Sequence, residues 1–448
     1  MPFCAAHCRL FTSTSKSTTS RQTSENHWLK PQNSCCRPAK SGRLRTLTHM
    51  KGTGFPLRGT SLMVATIIGG GMFALPVAFV HVWFLKGMVV LSATGILMLM
   101  TGLILVDITM RFPQGASFHT FTNALLGPGA SVVIGIAFCF VLYLLTYAYI
   151  SGAASILRGL FPSDVVGHDW LPVILLSLTT SVILWVGGRL PGYILSCLIT
   201  VKFTLFLLLF TGATGGVKLL RLMETSGSSS LHDYLPVVPV CIIAFGFHGS
   251  IPSLTRMYQR DNHRAITRSL YYGFAVSLLI YAFWLTITMG ALSSQAIQHV
   301  SDEGGNIGAF IAALDIHQPA SGASLMLVSF GCIAVLASLM SASIGLCDYL
   351  EDMLNKSGCR AARPLAIFLT YFPPALACIF SPEGFLSALA FAGISLVLWS
   401  ILLPPCLLIQ ARRSALSPVY VFPGNNFLLK TIIIAGVILW LLMIYTFI

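Results

Sequence analysis

Along most of this chain the polar positions do not alternate with apolar ones; they vanish for a membrane thickness at a time. From Gly59 to the C-terminus, apolar stretches of about 18 residues or more follow one another, each long enough to cross the roughly 30 Å hydrocarbon core as a helix. Eleven are expected, over 59–82, 87–108, 129–157, 170–188, 192–217, 235–257, 269–291, 321–347, 364–381, 385–409 and 429–448. Helices are required because lipid offers backbone N–H and C=O groups no partners, and the runs lack the two-residue alternation of barrel strands. The fold class is therefore an all-α polytopic membrane protein with eleven transmembrane helices.

Two of these stretches are interrupted at their centres. The first reads GTSLMVATIIGGGMFALPVAFVHVW and the sixth LPVVPVCIIAFGFHGSIPSLTRMY. Gly70 and Pro76 in the first align with Gly246 and Pro252 in the sixth at a common offset of 176 residues. Glycine lowers the cost of leaving helical geometry and proline removes a donor, so backbone groups there lose their helical partners. In lipid that costs several kcal/mol per group unless a cavity or ligand satisfies them. Paired interruptions in corresponding helices of two halves point to a transporter's binding site; either one alone also reads as a kink or a close-packing device. The half-helix starting near Met72 directs its positive end into the gap, which suits a carboxylate at the N–H groups of Gly69, Gly70, Gly71, Met72 and Phe73. Carbonyls at Phe245, Gly246 and Phe247 suit an ammonium. Together they match a zwitterion.

Composition agrees with a bilayer protein: 55% hydrophobic residues, 9% charged, mean hydropathy +0.82. The formal charge of +13 is explained by sidedness and calls for no nucleic acid. With the N-terminus inside, inner loops hold Arg111, Arg189, Arg256, Arg260, Arg264, Arg268, Lys356, Arg360, Arg363, Arg412, Arg413 and Lys430, and outer loops hold only Lys86, Arg158, Lys218 and Arg221. That bias orients the chain N-in, C-out, with the Arg256–Arg268 cluster a topology anchor near anionic lipid. Of twelve cysteines, four lie in the N-terminal segment and eight in spans or inner loops, so neither a disulfide framework nor a metal or redox site is indicated. Residues 1–49 are basic and Ser/Thr-rich, with Glu25 the one acid. A transit peptide, a disordered arm and a true start at Met50 all fit this composition. Residues 50–448 form the membrane domain.

IIGGGMFALP, FGFHGSIPS, TYAYISG of the third span, VKF of the fifth and GLCDYLED closing the eighth make the chain similar to the hydroxy and aromatic amino acid permeases, specifically their tryptophan/tyrosine permease branch. The resemblance runs from about Gly59 to the last span. It implies the five-plus-five inverted repeat of the amino acid/polyamine/organocation superfamily, with repeats over about 59–217 and 235–409 and an extra helix at 429–448. It also implies proton-driven uptake of tryptophan or tyrosine.

Lys202 lies ten residues past Gly192, about 15 Å along the fifth helix. An ionisable group at that depth is a functional candidate, because desolvation makes loss of its proton accessible. In superfamily relatives a lysine here stands where sodium-coupled members hold their ion, so the resemblance implies proton coupling. The competing reading is a structural lysine tied to carbonyls around Thr66–Gly69. In the eighth span the branch commonly shows a Thr-Ser pair where this chain has Ala337 and Ser338. One hydroxyl fewer fits an ammonium better than Na⁺, which wants several oxygens. His248, inside the second break, can carry a proton, bind substrate or satisfy free backbone groups. Tyr143 and Tyr147 share a helix face, with Ser151 and Gly152 opening space beyond. With Phe245, Phe247 and Phe391 they are candidates for an aromatic side-chain pocket, against the alternative of ordinary packing. Asp107 and Arg111, at i and i+4, read as a surface ion pair. Asp348, Glu351 and Asp352 read as the end of the eighth span.

The expected function is proton-coupled uptake of an aromatic amino acid, with no cofactor beyond the proton, no metal and no obligatory protein partner. The expected location is a bacterial inner membrane, or an organellar one if residues 1–49 are a transit peptide. The alternatives are an uncoupled or Na⁺-coupled neutral amino acid carrier or exchanger and a membrane-embedded enzyme. Against an enzyme, no catalytic cluster of His, Asp and Glu appears; against a channel, no charged rings appear.

Overall fold

The computed structural model describes residues 56–113, 116–160, 170–212, 217–223, 230–258, 262–317, 323–414 and 416–447. The expectations for residues 1–49 lie outside them. In chain order the helices are α1 (Leu57–Ile67), a 3₁₀ turn (Gly70–Phe73), α2 (Ala74–Ala78), α3 (Trp83–Arg111), α4 (Phe118–Leu126), α5 (Pro128–Leu160), α6 (Trp170–Val186) and α7 (Leu190–Gly212). There follow α8 (Leu219–Leu222), α9 (Leu231–Tyr234), α10 (Val237–Ala244), a 3₁₀ turn (His248–Ser250), α11 (Ile251–Met257), α12 (His263–Ala291), α13 (Ser294–Asp302) and α14 (Ile307–His317). The chain ends with α15 (Ala323–Lys356), α16 (Ala362–Phe380), α17 (Phe385–Val397), a π turn (Leu398–Leu402), α18 (Leu403–Arg413) and α19 (Asn426–Phe447).

Among the described residues nine helical segments are long and apolar enough to cross a membrane, and the α1–α2 pair, bent by 52°, makes a tenth. The fourth expected stretch is helical over Trp170–Val186, a shorter apolar helix of 17 residues. Helices not foreseen in the sequence are short: α4, opened by Ser117 with its hydroxyl accepting from the Thr120 N–H at 3.4 Å, and α13 and α14 between the seventh and eighth stretches. The outer surface stays apolar, as contact with lipid tails requires. On α5, Val132, Ile136 and Phe140 are exposed, and on α6 Leu178, Val182 and Trp185.

Both centre breaks form where the sequence places them. α1 stops at Ile67 because Ile68 and Gly69 turn extended (Gly69 φ −128°, ψ −165°). α10 stops at Ala244, and the helix resumes at Ile251 with Pro252 in its first turn, where a missing N–H costs nothing.

One ion-pair expectation changes. Asp107 and Arg111 are buried, with side-chain exposures of 0% and 4% and a 2.7 Å contact, so this is not a surface pair. Asp107 also accepts from the Phe422 N–H at 2.8 Å and Arg111 donates to the Leu416 carbonyl at 2.9 Å. The pair holds the 416–422 connection between α18 and α19, a remote cover that i, i+4 spacing cannot reveal. The acids at the end of α15 form ion pairs: Arg363 of α16 meets Glu351 at 2.5 Å and Asp348 at 3.3 Å, and Lys356 pairs with Asp352 at 2.7 Å.

Candidate functional site

The two breaks meet. Ser250 of the second lies 3.1 Å from the Thr66 hydroxyl of the first. Thr66 spends its own hydrogen on the Leu62 carbonyl at 2.8 Å, so Ser250 is the donor. Tyr281 of α12 stands between the last carbonyls of both half-helices, with its hydroxyl 2.8 Å from Ile67 O and 2.8 Å from Ala244 O. Its one hydrogen serves these two acceptors in turn. Trp284, one turn on, donates to Met72 O at 3.0 Å. These partners are why the freed carbonyls are tolerable. Nothing in the sequence distinguished Tyr281 or Trp284 from other aromatic residues of an apolar run; only the i, i+3 spacing could have hinted at a shared face.

Lys202 of α7 reaches the same place. Its side chain is buried and its ammonium donates to Ile68 O at 2.5 Å. Ser338 of α15 accepts from the Gly70 N–H at 2.7 Å while donating to Ala334 O at 2.9 Å. The lone hydroxyl of this chain's Ala-Ser pair therefore occupies one of the amides expected to hold a carboxylate.

A cavity of about 410 Å³ opens along the breaks. Its polar wall includes Thr66, Gly69, Gly71, Lys202, Gly246, Gly249, Ser250, Ser338 and Tyr149. Its apolar wall includes Phe138, Val141, Leu142, Leu145, Leu396 and Trp399. Backbone bonds of the first turn use the amides of Met72 and Ala74, and among the described residues those of Gly69 and Gly71 are not among its donors. A methyl group on Gly71 would meet nothing within 4 Å. Of the second break, the Phe245 carbonyl accepts from Phe247 N and the Phe247 carbonyl from Ser250 N, both at 2.9 Å. Gly246 is left on the wall.

Several expected contacts lie elsewhere. Met72 and Phe73 are buried away from the cavity; Phe73 packs on Trp284, Phe310 and Phe330 at ring separations of 5.3, 6.5 and 5.7 Å. Phe245 packs toward Gly95 of α3 and Phe247 toward Gly102, where added methyl groups would come within 2.8 and 2.7 Å of the rings. His248 stacks on Phe247 (4.9 Å) and pairs through Nε2 with the Thr101 hydroxyl at 2.9 Å. These three side chains thus anchor the break to α3, and their backbone neighbours Gly246 and Gly249 face the cavity.

The expected aromatic pocket of the third stretch is also differently used. Tyr143 donates to Leu369 O at 3.0 Å, the carbonyl whose helical donor position is occupied by Pro373. Tyr147 donates to Ser381 O and Ser151 to Pro382 O, each at 2.6 Å. Gly152 admits Ile307, 2.8 Å from where a methyl group would stand. Phe391 is 43% exposed and packs on Phe447 of α19. The proline-freed carbonyls and the end of α16 needed donors, and this helix face supplies them. The tyrosine of α5 that reaches the cavity is Tyr149, whose ring lies 3.0 Å from where a methyl group on Gly70 would be.

The chain is 40% identical over 390 residues to the tyrosine permease of Enterobacter agglomerans, covering 85% of this chain and 93% of that one. It is 32% identical over 403 residues to the tryptophan-specific transport protein of Shigella flexneri (88% and 96% covered). To the low affinity tryptophan permease of Escherichia coli K12 it is 31% identical over 386 residues (85% and 92%). Among solved structures it resembles a mutant of the Eremococcus coleocola manganese transporter with TM-score 0.59 at 14% identity, covering 87% of this chain and 85% of that one, a likeness of fold alone. The profile of the tryptophan/tyrosine permease family matches residues 54–443. The chain is an integral membrane transporter, not an enzyme, and belongs to the tryptophan/tyrosine permease family.

Proposed function

We propose that this protein is a secondary active transporter that takes up an aromatic amino acid, tryptophan or tyrosine, driven by protons. The observation that carries the reading is the buried Lys202 ammonium on the Ile68 carbonyl, at the first break and on the cavity wall. A charge at that depth, with a carbonyl for its partner, has reason to be there if its proton is exchanged during transport. The carboxylate of the substrate meets the Gly69 and Gly71 amides, the ammonium meets the Gly246 carbonyl, and the ring lies along Val141, Leu142 and Leu145. The names of the relatives support an aromatic substrate.

The positive-inside bias supports an N-in, C-out orientation, and the 176-residue offset between the breaks supports an inverted repeat. On that orientation the cavity lies on the inner side of the breaks, beside the N-terminal half of the first span. The Phe73, Trp284, Phe310 and Phe330 rings seal the outer side. Alternating access then consists of parting these rings while closing the inner walls. The bacterial relatives support placement in an inner membrane. Uptake of labelled tyrosine and tryptophan into cells expressing the protein tests the substrate class: aromatic amino acids should compete and leucine or lysine should not. Equal competition by leucine would overturn it.

A further inference from the structure

Ser341 of α15 lines the cavity and is exposed, although it stands in mid-helix among residues that are not: positions 334–340 and 342–347 are all buried or half-buried. Its exposure is therefore exposure to the cavity. Among the described residues its hydroxyl has no hydrogen-bond partner. The neighbouring hydroxyls of the helix behave otherwise, Ser338 donating to Ala334 O and Ser343 to Leu339 O, each four residues before. Elsewhere on the wall, Thr66 and Ser250 bond each other, Tyr149 bonds Ser338, and Lys202 bonds the Ile68 carbonyl. Ser341 is thus the polar side chain of the wall that is both exposed and unspent.

Its placement points the hydroxyl at a ligand's side chain. Ser338 marks the first break, accepting from the Gly70 N–H at 2.7 Å. Ser341 comes three residues later on the same helix face, about 4.5 Å further along at 1.5 Å per residue. Around it, Ala337, Ala342 and Gly345 of α15 carry no more than a methyl group each, and across the cavity Val141, Leu142 and Leu145 of α5 offer only hydrocarbon. A methyl group on Gly345 would lie 3.7 Å from Leu142, so the two helices close together one turn beyond Ser341. The result is a slot of apolar and small side chains that contains one free hydroxyl. An amino acid whose carboxylate is held at the first break, with its ring on a single methylene, carries the outer atoms of that ring about one helical turn away, into this slot.

We propose that Ser341 is a specificity-determining residue of the cavity: its hydroxyl pairs with the hydrogen-bonding atom of the transported ring, the phenol hydroxyl of tyrosine or the indole N–H of tryptophan, and so favours both over phenylalanine. The inference rests on the aromatic amino acid transport proposed above. A serine hydroxyl donates one hydrogen and accepts through two lone pairs. It therefore meets a phenol in either sense and an indole as acceptor. The ring of phenylalanine strips water from the hydroxyl without replacing the hydrogen bond, and a site built around such a bond penalises the ligand that lacks it.

The test is transport by the purified full-length protein in proteoliposomes, with labelled tyrosine, tryptophan and phenylalanine measured separately for wild type and Ser341→Ala. The substitution removes an oxygen that holds nothing else in the fold, so the variant should melt at the wild-type temperature. Wild type should favour tyrosine and tryptophan over phenylalanine by about threefold to tenfold in kcat/KM, the range of one net hydrogen bond. In Ser341→Ala the tyrosine and tryptophan values should fall by that factor while phenylalanine keeps its own; a fall confined to one of the two identifies the ring that meets the hydroxyl. Wild type without preference over phenylalanine, or a Ser341→Ala protein in which the three values are unchanged or fall alike, would overturn the assignment while leaving aromatic transport intact. Wild type that transports none of the three would overturn aromatic transport itself. Should Ser341→Ala transport nothing, the rise in melting temperature on adding each amino acid decides: tyrosine and tryptophan should stabilise wild type more than phenylalanine does and lose that lead in the variant, and a lead kept in the variant would overturn the assignment.

Discussion

The Lys202 ammonium lies 2.5 Å from the carbonyl oxygen of Ile68, the residue at which the first transmembrane helix leaves helical geometry. One side chain thereby links α7 to the backbone of the candidate substrate site. If the proton on that ammonium is the coupling proton, its loss releases Ile68 O and alters the same break that is proposed to hold the substrate. Lys202→Ala is expected to abolish accumulation of substrate above its equilibrium level, and the measurement is uptake against a concentration gradient. Uphill accumulation by Lys202→Ala would remove Lys202 from the coupling mechanism.

Tyr281 joins the two breaks through Ile67 O and Ala244 O. Tyr281→Phe keeps the ring, with its edge contact to Phe245 at 5.5 Å, and deletes the donor. It should cost about 1–3 kcal/mol, the penalty of leaving buried acceptors unsatisfied. Thermal unfolding in detergent reads this directly, and a melting temperature equal to wild type would show that the bridge does not stabilise the junction.

The spans and both breaks were legible because their causes are local: apolar length, and glycine and proline inside it. Lys202 was legible because a charge in such a run stands out. The fates of Tyr143, Tyr147 and Ser151 were not, because they depend on Leu369, Ser381 and Pro382, over 200 residues away. Tyr281, Trp284 and Trp399 escaped for a related reason. An aromatic residue in a membrane helix looks alike in sequence whether it packs, seals or binds, and only its partners separate these uses. FGFHGS gave the position of the second break correctly, but the divided use of its residues, side chains toward α3 and glycines toward the cavity, follows from the packing of Gly95 and Gly102.

The buried Asp107–Arg111 pair and the exposed Asp352–Lys356 pair have the same spacing and the same 2.7 Å separation. Their surroundings set different values. Asp107→Ala strands a buried guanidinium and the Phe422 N–H and should cost about 3–5 kcal/mol. Asp352→Ala, with both partners more than half exposed, should cost less than about 1 kcal/mol. Unfolding of the two variants side by side checks the contrast, and equal losses would refute it.

Gly71 and Gly393 separate binding from folding. A methyl group on Gly71 meets open cavity, whereas one on Gly393 would meet the Pro239 backbone, with its carbonyl carbon 2.6 Å away. Gly71→Ala is expected to fold with wild-type thermal stability and to raise the apparent KM roughly tenfold or more by displacing the carboxylate. Gly393→Ala is expected to lower stability through overpacking by about 1–3 kcal/mol or more. An unchanged KM in Gly71→Ala would move the carboxylate away from this turn.

Proton-driven uptake of an aromatic amino acid through this site is the proposed activity. Its most direct test is uptake of labelled tyrosine and tryptophan into proteoliposomes under an imposed pH gradient, with and without Na⁺. Proton coupling predicts accumulation that follows the pH gradient, collapses when a protonophore dissipates it and ignores Na⁺; accumulation that requires Na⁺ and is indifferent to the pH gradient would refute it.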